Sequence, residues 1–203
     1  MKSEFNGVLE ATLTNGRKSL DDANANYSCG SLQRILKFAL GEISSPKLQT
    51  VLLLGLGGGS VVATLRQDFG FAGAITAVDI DPTIIQIARK EFGITNAANT
   101  RIACADAAEF LQKNTEQFDL IIVDLFLDDQ VPAKFLQVDF WRLIHRRTAR
   151  PGDVIFNTIN KTANGAVVEN ELTTLSFMIR EYSDVEKTNT ILIARHHEGT
   201  DCC

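Results

Sequence analysis

Five aspartates and one run of glycines are the residues whose types and spacing suit chemistry in this chain. Gly55-Leu56-Gly57-Gly58-Gly59-Ser60 follows a short apolar run, Asp79 stands 22 positions after Gly57, and Asp106 and Asp124 each close a later apolar run. Glycines without Cβ atoms let the backbone turn tightly and approach a ligand closely. A helix that starts just after them presents unpaired N–H groups. An acid about 20 residues beyond such a loop is placed to accept hydrogen bonds from ribose hydroxyls. The other role open to Asp79, a first-turn acid for the next helix, is already filled by Asp81. Asp106 caps the following helix, with Glu109 three residues on completing a capping box, or accepts a hydrogen bond from an adenine amino group; the two roles are compatible. Asp124 is the best base for an acceptor that must lose a proton, and otherwise a turn-forming acid at a strand end. Asp128 and Asp129 follow it, placed either to hold a cationic amine or act as base, or to form a solvated turn before Pro132.

The elements that must position these residues read as an alternation of strands and helices. Residues 50–55 form an apolar run ending in glycine, as in a strand buried on both faces. Val61, Val62, Leu65 and Phe69 give helical spacing over 61–69. A second strand covers 74–79, and Asp81-Pro82 opens a helix with Asp as N-cap and Pro in the first turn. A third strand at 100–104, a helix from Asp106 to about 112, and the strongest strand at 118–124 come next. Pro132 starts a helix with Phe135, Leu136, Phe140, Leu143 and Ile144 on its apolar side. Arg150-Pro151-Gly152-Asp153 reads as a turn into a strand at 154–158. Residues 166–182 show helical spacing at Leu172, Leu175, Ile179 and Tyr182, and two close strands near 185–187 and 191–194 must pair antiparallel. The expected fold is α/β: a doubly wound, Rossmann-like, seven-stranded sheet with a C-terminal antiparallel hairpin. Residues 1–49 read as a short N-terminal extension with weak strands at 7–14 and 17–20 and a helix near 31–40, and 50–203 as the nucleotide-binding domain. In such a sheet, ligands bind beyond the carboxyl ends of the strands where the strand order reverses.

VLLLGLGGGSV, AVDIDP, ADAAEFL and FDLIIVDLF, in that order, make the chain resemble the class I S-adenosylmethionine-dependent methyltransferases, and within them the spermidine synthase-like branch, over about residues 50–195. The resemblance implies the class I methyltransferase fold and S-adenosylmethionine, or its decarboxylated form, as cofactor. It implies that Gly55, Gly57 and Gly59 line the methionine and ribose, with Gly58 and Ser60 in the same loop. It also implies that Asp79, with Ile80, holds the ribose, and that Asp106, with Ala107, faces the adenine. Asp124 joins both the cofactor and the catalytic sets, and Asp128 and Asp129 the catalytic set. Two departures stand out: aminopropyltransferases have an acid directly after their glycines where this chain has Ser60, and Leu127 stands where the second acid of their D-x-x-D-P loop belongs.

Composition narrows the partners. With 203 residues, 45% hydrophobic and 22% charged, the chain has enough apolar material for one good-sized core. A net charge of −5 argues against nucleic acid, and the basic stretch from His145 to Arg150 fits the end of a helix, where cations complement the dipole. No apolar run reaches membrane-spanning length and the first residues have no signal-peptide core, so a cytoplasmic location without membrane contact is expected. The four cysteines set no disulfide framework, and Thr200 stands where a prenylation signal needs its cysteine. His196, His197, Asp201, Cys202 and Cys203 carry metal-binding side chains, but so near a terminus no metal is expected. The favoured activity is methyl transfer to a small molecule, an amine being one option. The alternatives are aminopropyl transfer to a polyamine and a binding module without turnover; a nicotinamide enzyme would need glycine at position 60. The sequence leaves the oligomeric state open, a homodimer included.

Overall fold

Alternating burial along short apolar runs sets the layers of this molecule. A computed structural model describes residues 3, 10–14, 17–21, 26–28, 31–43, 48–96, 99–127, 130–159 and 163–196. Three short strands, β1 (Glu10–Thr14), β2 (Arg17–Asp21) and β3 (Asn26–Ser28), form an antiparallel sheet of their own, and α1 (Ser31–Gly41) follows. The main sheet is built from β4 (Thr50–Leu54), β5 (Ala74–Asp79), β6 (Thr100–Cys104), β7 (Phe118–Val123), β8 (Thr148–Ile159), β9 (Phe177–Val185) and β10 (Asn189–His196). Between them run α2 (Ser60–Ala63, continued by a π-helical turn Thr64–Asp68), α3 (Pro82–Phe92), α4 (Ala107–Lys113), α5 (Val138–Arg147) and α6 (Ala163–Thr174).

The strand order is β6-β5-β4-β7-β8-β10-β9. The first five are parallel, and β10 is antiparallel to both β8 and β9. This is the seven-stranded α/β sheet of the class I methyltransferase fold, closed by its antiparallel hairpin. Successive side chains of a strand point to opposite faces. Val51 and Leu53 of β4 therefore pack with Ile35 and Leu36 of α1, Val61 and Val62 of α2, and Ile85 of α3. Leu52 and Leu54 pack with Leu111 of α4, Trp141 of α5 and Leu172 of α6. A run such as Val-Leu-Leu-Leu is needed because both faces are covered. From β4 the chain winds out to β6 on one side, then returns to place β7 on the other. The reversal lies between β4 and β7.

Several boundaries differ from the sequence expectation. Arg150-Pro151-Gly152-Asp153 lies within β8 rather than in a turn before it. The register against β7 steps from Phe118↔Thr148 to Leu120↔Asp153, so these residues form a bulge, one of the few places a sheet admits proline. The helical spacing across 166–182 does not hold. Helix α6 stops at Thr174, Ser176 takes a left-handed φ of 66°, and Ile179 and Tyr182 belong to β9. Residues 185–187 are not a strand but the end of β9 and its turn, where Glu186 and Lys187 are left-handed. The helix expected from Pro132 splits into a 3-10 turn, Ala133–Leu136, and α5. No described helix is long and apolar enough to cross a membrane.

Candidate functional site

Each parallel strand passes its hydrogen-bonding pattern on to the residue just beyond its end. Gly55 N donates to Val78 O at 2.9 Å, Asp124 N to Leu54 O at 2.9 Å, and Ala105 N to Asp79 O at 3.0 Å. These bonds set the glycine loop, Asp79, Asp106 and Asp124 along one edge of the sheet, the carboxyl edge, with the β4–β7 reversal within it. Open α/β sheets bind ligands at that place.

The glycines have local reasons to be glycine. Gly55 has φ +97°, and a Cβ there would sit 2.0 Å from the carbonyl oxygen of Asp124. Gly59 has φ +85°, and its Cβ would meet Ile94 Cγ1 at 2.4 Å. Gly57 is also left-handed, with φ 52°. Gly58 is buried and Ser60 half-buried as α2 begins.

Asp79 shapes this loop. One carboxylate oxygen accepts from Leu56 N at 3.0 Å and Gly57 N at 3.2 Å, and the other from Asp81 N at 2.9 Å. The residue is 9% exposed, and burial raises its carboxyl to about 6 against those three bonds. A carboxylate has about four acceptor sites, so Asp79 keeps capacity for a further donor. Ile80, beside it, is exposed. Asp81 caps α3 by accepting from Thr83 N at 2.8 Å, and its second oxygen accepts from the Ser3 hydroxyl.

Asp106 caps α4, accepting from Ala108 N at 2.9 Å and Glu109 N at 3.1 Å, while Ala107 is buried in the first turn. The expected capping box is only half made: the Glu109 side chain pairs with Lys113 at 3.0 Å instead. The other Asp106 oxygen forms an ion pair with Lys134, a partner 28 residues away that local spacing does not reveal. Burial would raise the Asp106 carboxyl, but the Lys134 bond and the helix amides outweigh it and hold it below the usual value.

Asp124 differs from both. Its carboxyl is held by Asn157 Nδ2 at 2.8 Å, and desolvation raises it to about 6 despite that bond. Asn157 is fully buried in β8; its only signal in the sequence is a polar residue inside the apolar run of 154–158. Asp128 and Asp129 lie outside the described residues, as do His197, Asp201, Cys202 and Cys203. His196 is buried in β10, its ring edge-on to His145 at 5.0 Å and Phe177 at 4.7 Å. His145, Arg146 and Arg147 do form the last turn of α5.

Known proteins resemble this chain in sequence over its central part and in fold over nearly all of it. Residues 51–143 match a family of methyltransferase domains. A polyamine aminopropyltransferase of Vibrio vulnificus is 28% identical over 123 residues, which are 59% of this chain and 41% of that protein. The chain thus spans about two fifths of that relative's length. Among solved structures, a probable spermidine synthase from Corynebacterium glutamicum superposes with a TM-score of 0.80 at 17% identity, covering 96% of this chain and 78% of that one. Human methyltransferase-like protein 13 in complex with SAH superposes with a TM-score of 0.65 at 22% identity, covering 86% of each chain. The resemblance carried by the ordered motifs, to class I methyltransferases and their spermidine synthase-like branch, is thereby shown.

Proposed function

We propose that this chain is an S-adenosylmethionine-dependent methyltransferase whose acceptor is a small molecule, an amine being the best-suited class. The observation that carries the reading is the carboxyl of Asp124: half-buried at the strand reversal, held by one neutral donor, and raised to about 6 by desolvation. Such a group is mostly ionised at neutral pH yet close enough to it to take up a proton, the property a general base needs. In this reading the glycine loop cradles the methionine and ribose portions of the cofactor. Asp79 uses its remaining acceptor capacity on a ribose hydroxyl, with Ile80 beside it. Asp106 and Ala107 face the adenine, and Lys134 fixes the direction of the Asp106 carboxylate.

The bound cofactor supplies a methyl group on a sulfonium. That methyl would pass to the acceptor's lone pair, the carbon–sulfur electrons staying on sulfur, with S-adenosylhomocysteine as the product. Asp124 orients the acceptor in line and receives its proton. Alignment and exclusion of water account for most of what a protein contributes to such a displacement. Asp128 and Asp129 are placed by sequence to hold a cationic acceptor. Residues 50–203 form the nucleotide-binding unit in this reading, with 1–49 an extension, the protein acting in the cytoplasm without a nucleic-acid partner.

Aminopropyl transfer to a polyamine is the second reading, favoured by the aminopropyltransferase relative and the fold of the spermidine synthase. Against it, Ser60 follows the glycines, and Leu127, at the second acid's place, is 42% exposed. Incubation with S-adenosylmethionine or its decarboxylated form and a panel of amines separates the two. Methyl transfer yields S-adenosylhomocysteine, and aminopropyl transfer yields methylthioadenosine. Methylthioadenosine formed with spermidine or putrescine, and no S-adenosylhomocysteine with any acceptor, would replace the first reading by the second. Binding of either cofactor without turnover would make the chain a binding module.

A further inference from the structure

The partner of Asp124 is itself held, through a second buried asparagine and an exposed threonine that lead away from the candidate site. Asn157 Nδ2 donates to Asp124 Oδ1 at 2.8 Å, Asn189 Nδ2 donates to Asn157 Oδ1 at 2.8 Å, and Thr188 Oγ1 donates to Asn189 Oδ1 at 2.7 Å. Every donor in the series points toward the carboxylate. Strand β8 pairs with β10 so that Asn157 lies opposite Ile191 and Ile159 opposite Asn189. Asn157 and Asn189 are therefore diagonal neighbours on one face, within side-chain reach. Both are buried, at 0% and 5% exposure, so water is not a ready substitute for either bond.

An amide side chain can present its oxygen or its nitrogen to a neighbour. Donation from Asn189 engages the Asn157 oxygen and leaves the Asn157 nitrogen for Asp124. Without it, Asn157 is free to rotate by half a turn and set its oxygen against the carboxylate, an arrangement that suits only the protonated acid. We propose that Asn157 and Asn189 are positioning residues, and that with Thr188 they direct a one-way series of donors from the β9–β10 hairpin onto Asp124, setting how tightly that acid holds its proton. The role rests on the reading of Asp124 as the acid of the site. The turn that carries Thr188 is also gripped from α1, where Arg34 pairs with Glu186 at 2.6 Å.

Among the described residues, only burial and the Asn157 bond act on the Asp124 carboxyl. Asp79, on β5, directs its oxygens at Leu56, Gly57 and Asp81. Asp128 and Asp129 follow Asp124 in sequence and are present in every variant considered below.

The test is a carboxyl carbon-13 NMR titration of Asp124, assigned by its loss in Asp124→Asn, in the full chain and in Asn189→Leu and Thr188→Val. Neither substituted position touches Asp124. Losing a hydrogen bond to the charged form raises a carboxyl, so the Asp124 midpoint is expected to rise by about one pH unit in Asn189→Leu, the scale of one bond to a charged acceptor. A smaller rise is expected in Thr188→Val. A folded Asn189→Leu whose Asp124 titrates as in the parent overturns the proposal. If Asn189→Leu does not fold, Thr188→Val decides: a rise supports the series, and an unchanged midpoint overturns it. The readout does not depend on turnover. A moved midpoint together with full activity in Asp124→Asn would refute the catalytic reading of Asp124 and leave the positioning role standing.

Discussion

Replacing Asp124 by Asn should change how stability depends on pH more than it changes the fold. In the native chain the carboxyl is raised to about 6 by desolvation, against about 3.9 when the chain is unfolded. Between those values the native state keeps a proton that the unfolded state has released, so this group's contribution is fully present below about pH 4 and is lost as pH rises through about 6. Two units at 1.36 kcal/mol each make that loss about 3 kcal/mol. Asparagine keeps an oxygen that accepts from Asn157 Nδ2 and cannot ionise. Its extra amide donor carries a cost that does not vary with pH. Urea unfolding of both proteins at intervals from pH 4 to pH 8 isolates the effect. Asp79, also raised to about 6, is common to both and cancels in the difference. The mutant should gain up to about 3 kcal/mol relative to the parent between pH 4 and pH 8, most of it before pH 7. A difference that stays flat across this range would mean that Asp124 is not a desolvated acid, and the argument for its role as base would go with it.

Gly55→Ala must place a Cβ 2.0 Å from a backbone oxygen at a left-handed φ; the combined strain should cost about 2–5 kcal/mol in urea unfolding. Trp141→Phe should be mild for a fully buried residue. The indole N–H has no hydrogen-bond partner among the described residues, and removing a donor whose burial costs about 1–3 kcal/mol offsets lost packing. A net loss above about 3 kcal/mol, the scale of truncation to alanine, would show that the N–H is satisfied. Asp106→Ala removes the acceptor for two helix amides and should cost about 1 kcal/mol, with Lys134 left unpaired; no change in thermal stability would deny the cap.

The parallel core and the placing of three acids at its carboxyl edge were legible because their signals are local. Apolar runs of five or six residues ending in Gly55, Asp79 and Asp124 mark strands covered on both faces, and Asp81-Pro82 marks a helix start. The misread elements are those decided across the sheet. Leu172, Leu175, Ile179 and Tyr182 keep a helical interval, yet pairing with β10 takes the last two into β9. Proline and glycine at 151 and 152 signal a turn wherever they occur; here a bulge in β8 absorbs them. The partners of the acids escaped for the same reason. Lys134 reaches Asp106 from 28 residues away, Asn157 reaches Asp124 from 33, and Asn189 reaches Asn157 from 32. No periodicity within one element connects such pairs. Only the order of strands in the sheet brings them together.

The central claim is that the carboxyl edge around Gly55–Gly59, Asp79 and Asp106 binds an adenosyl ligand. It is tested most directly by calorimetric titration of the protein with S-adenosylhomocysteine, with NAD as comparison and Asp79→Ala as the variant. The account predicts one-to-one binding of S-adenosylhomocysteine, no comparable binding of NAD, and a loss of about 1.5–3 kcal/mol in the variant, the range of a hydrogen bond to a charged acceptor. No heat from S-adenosylhomocysteine at millimolar concentration, alongside clear binding of NAD, would contradict it.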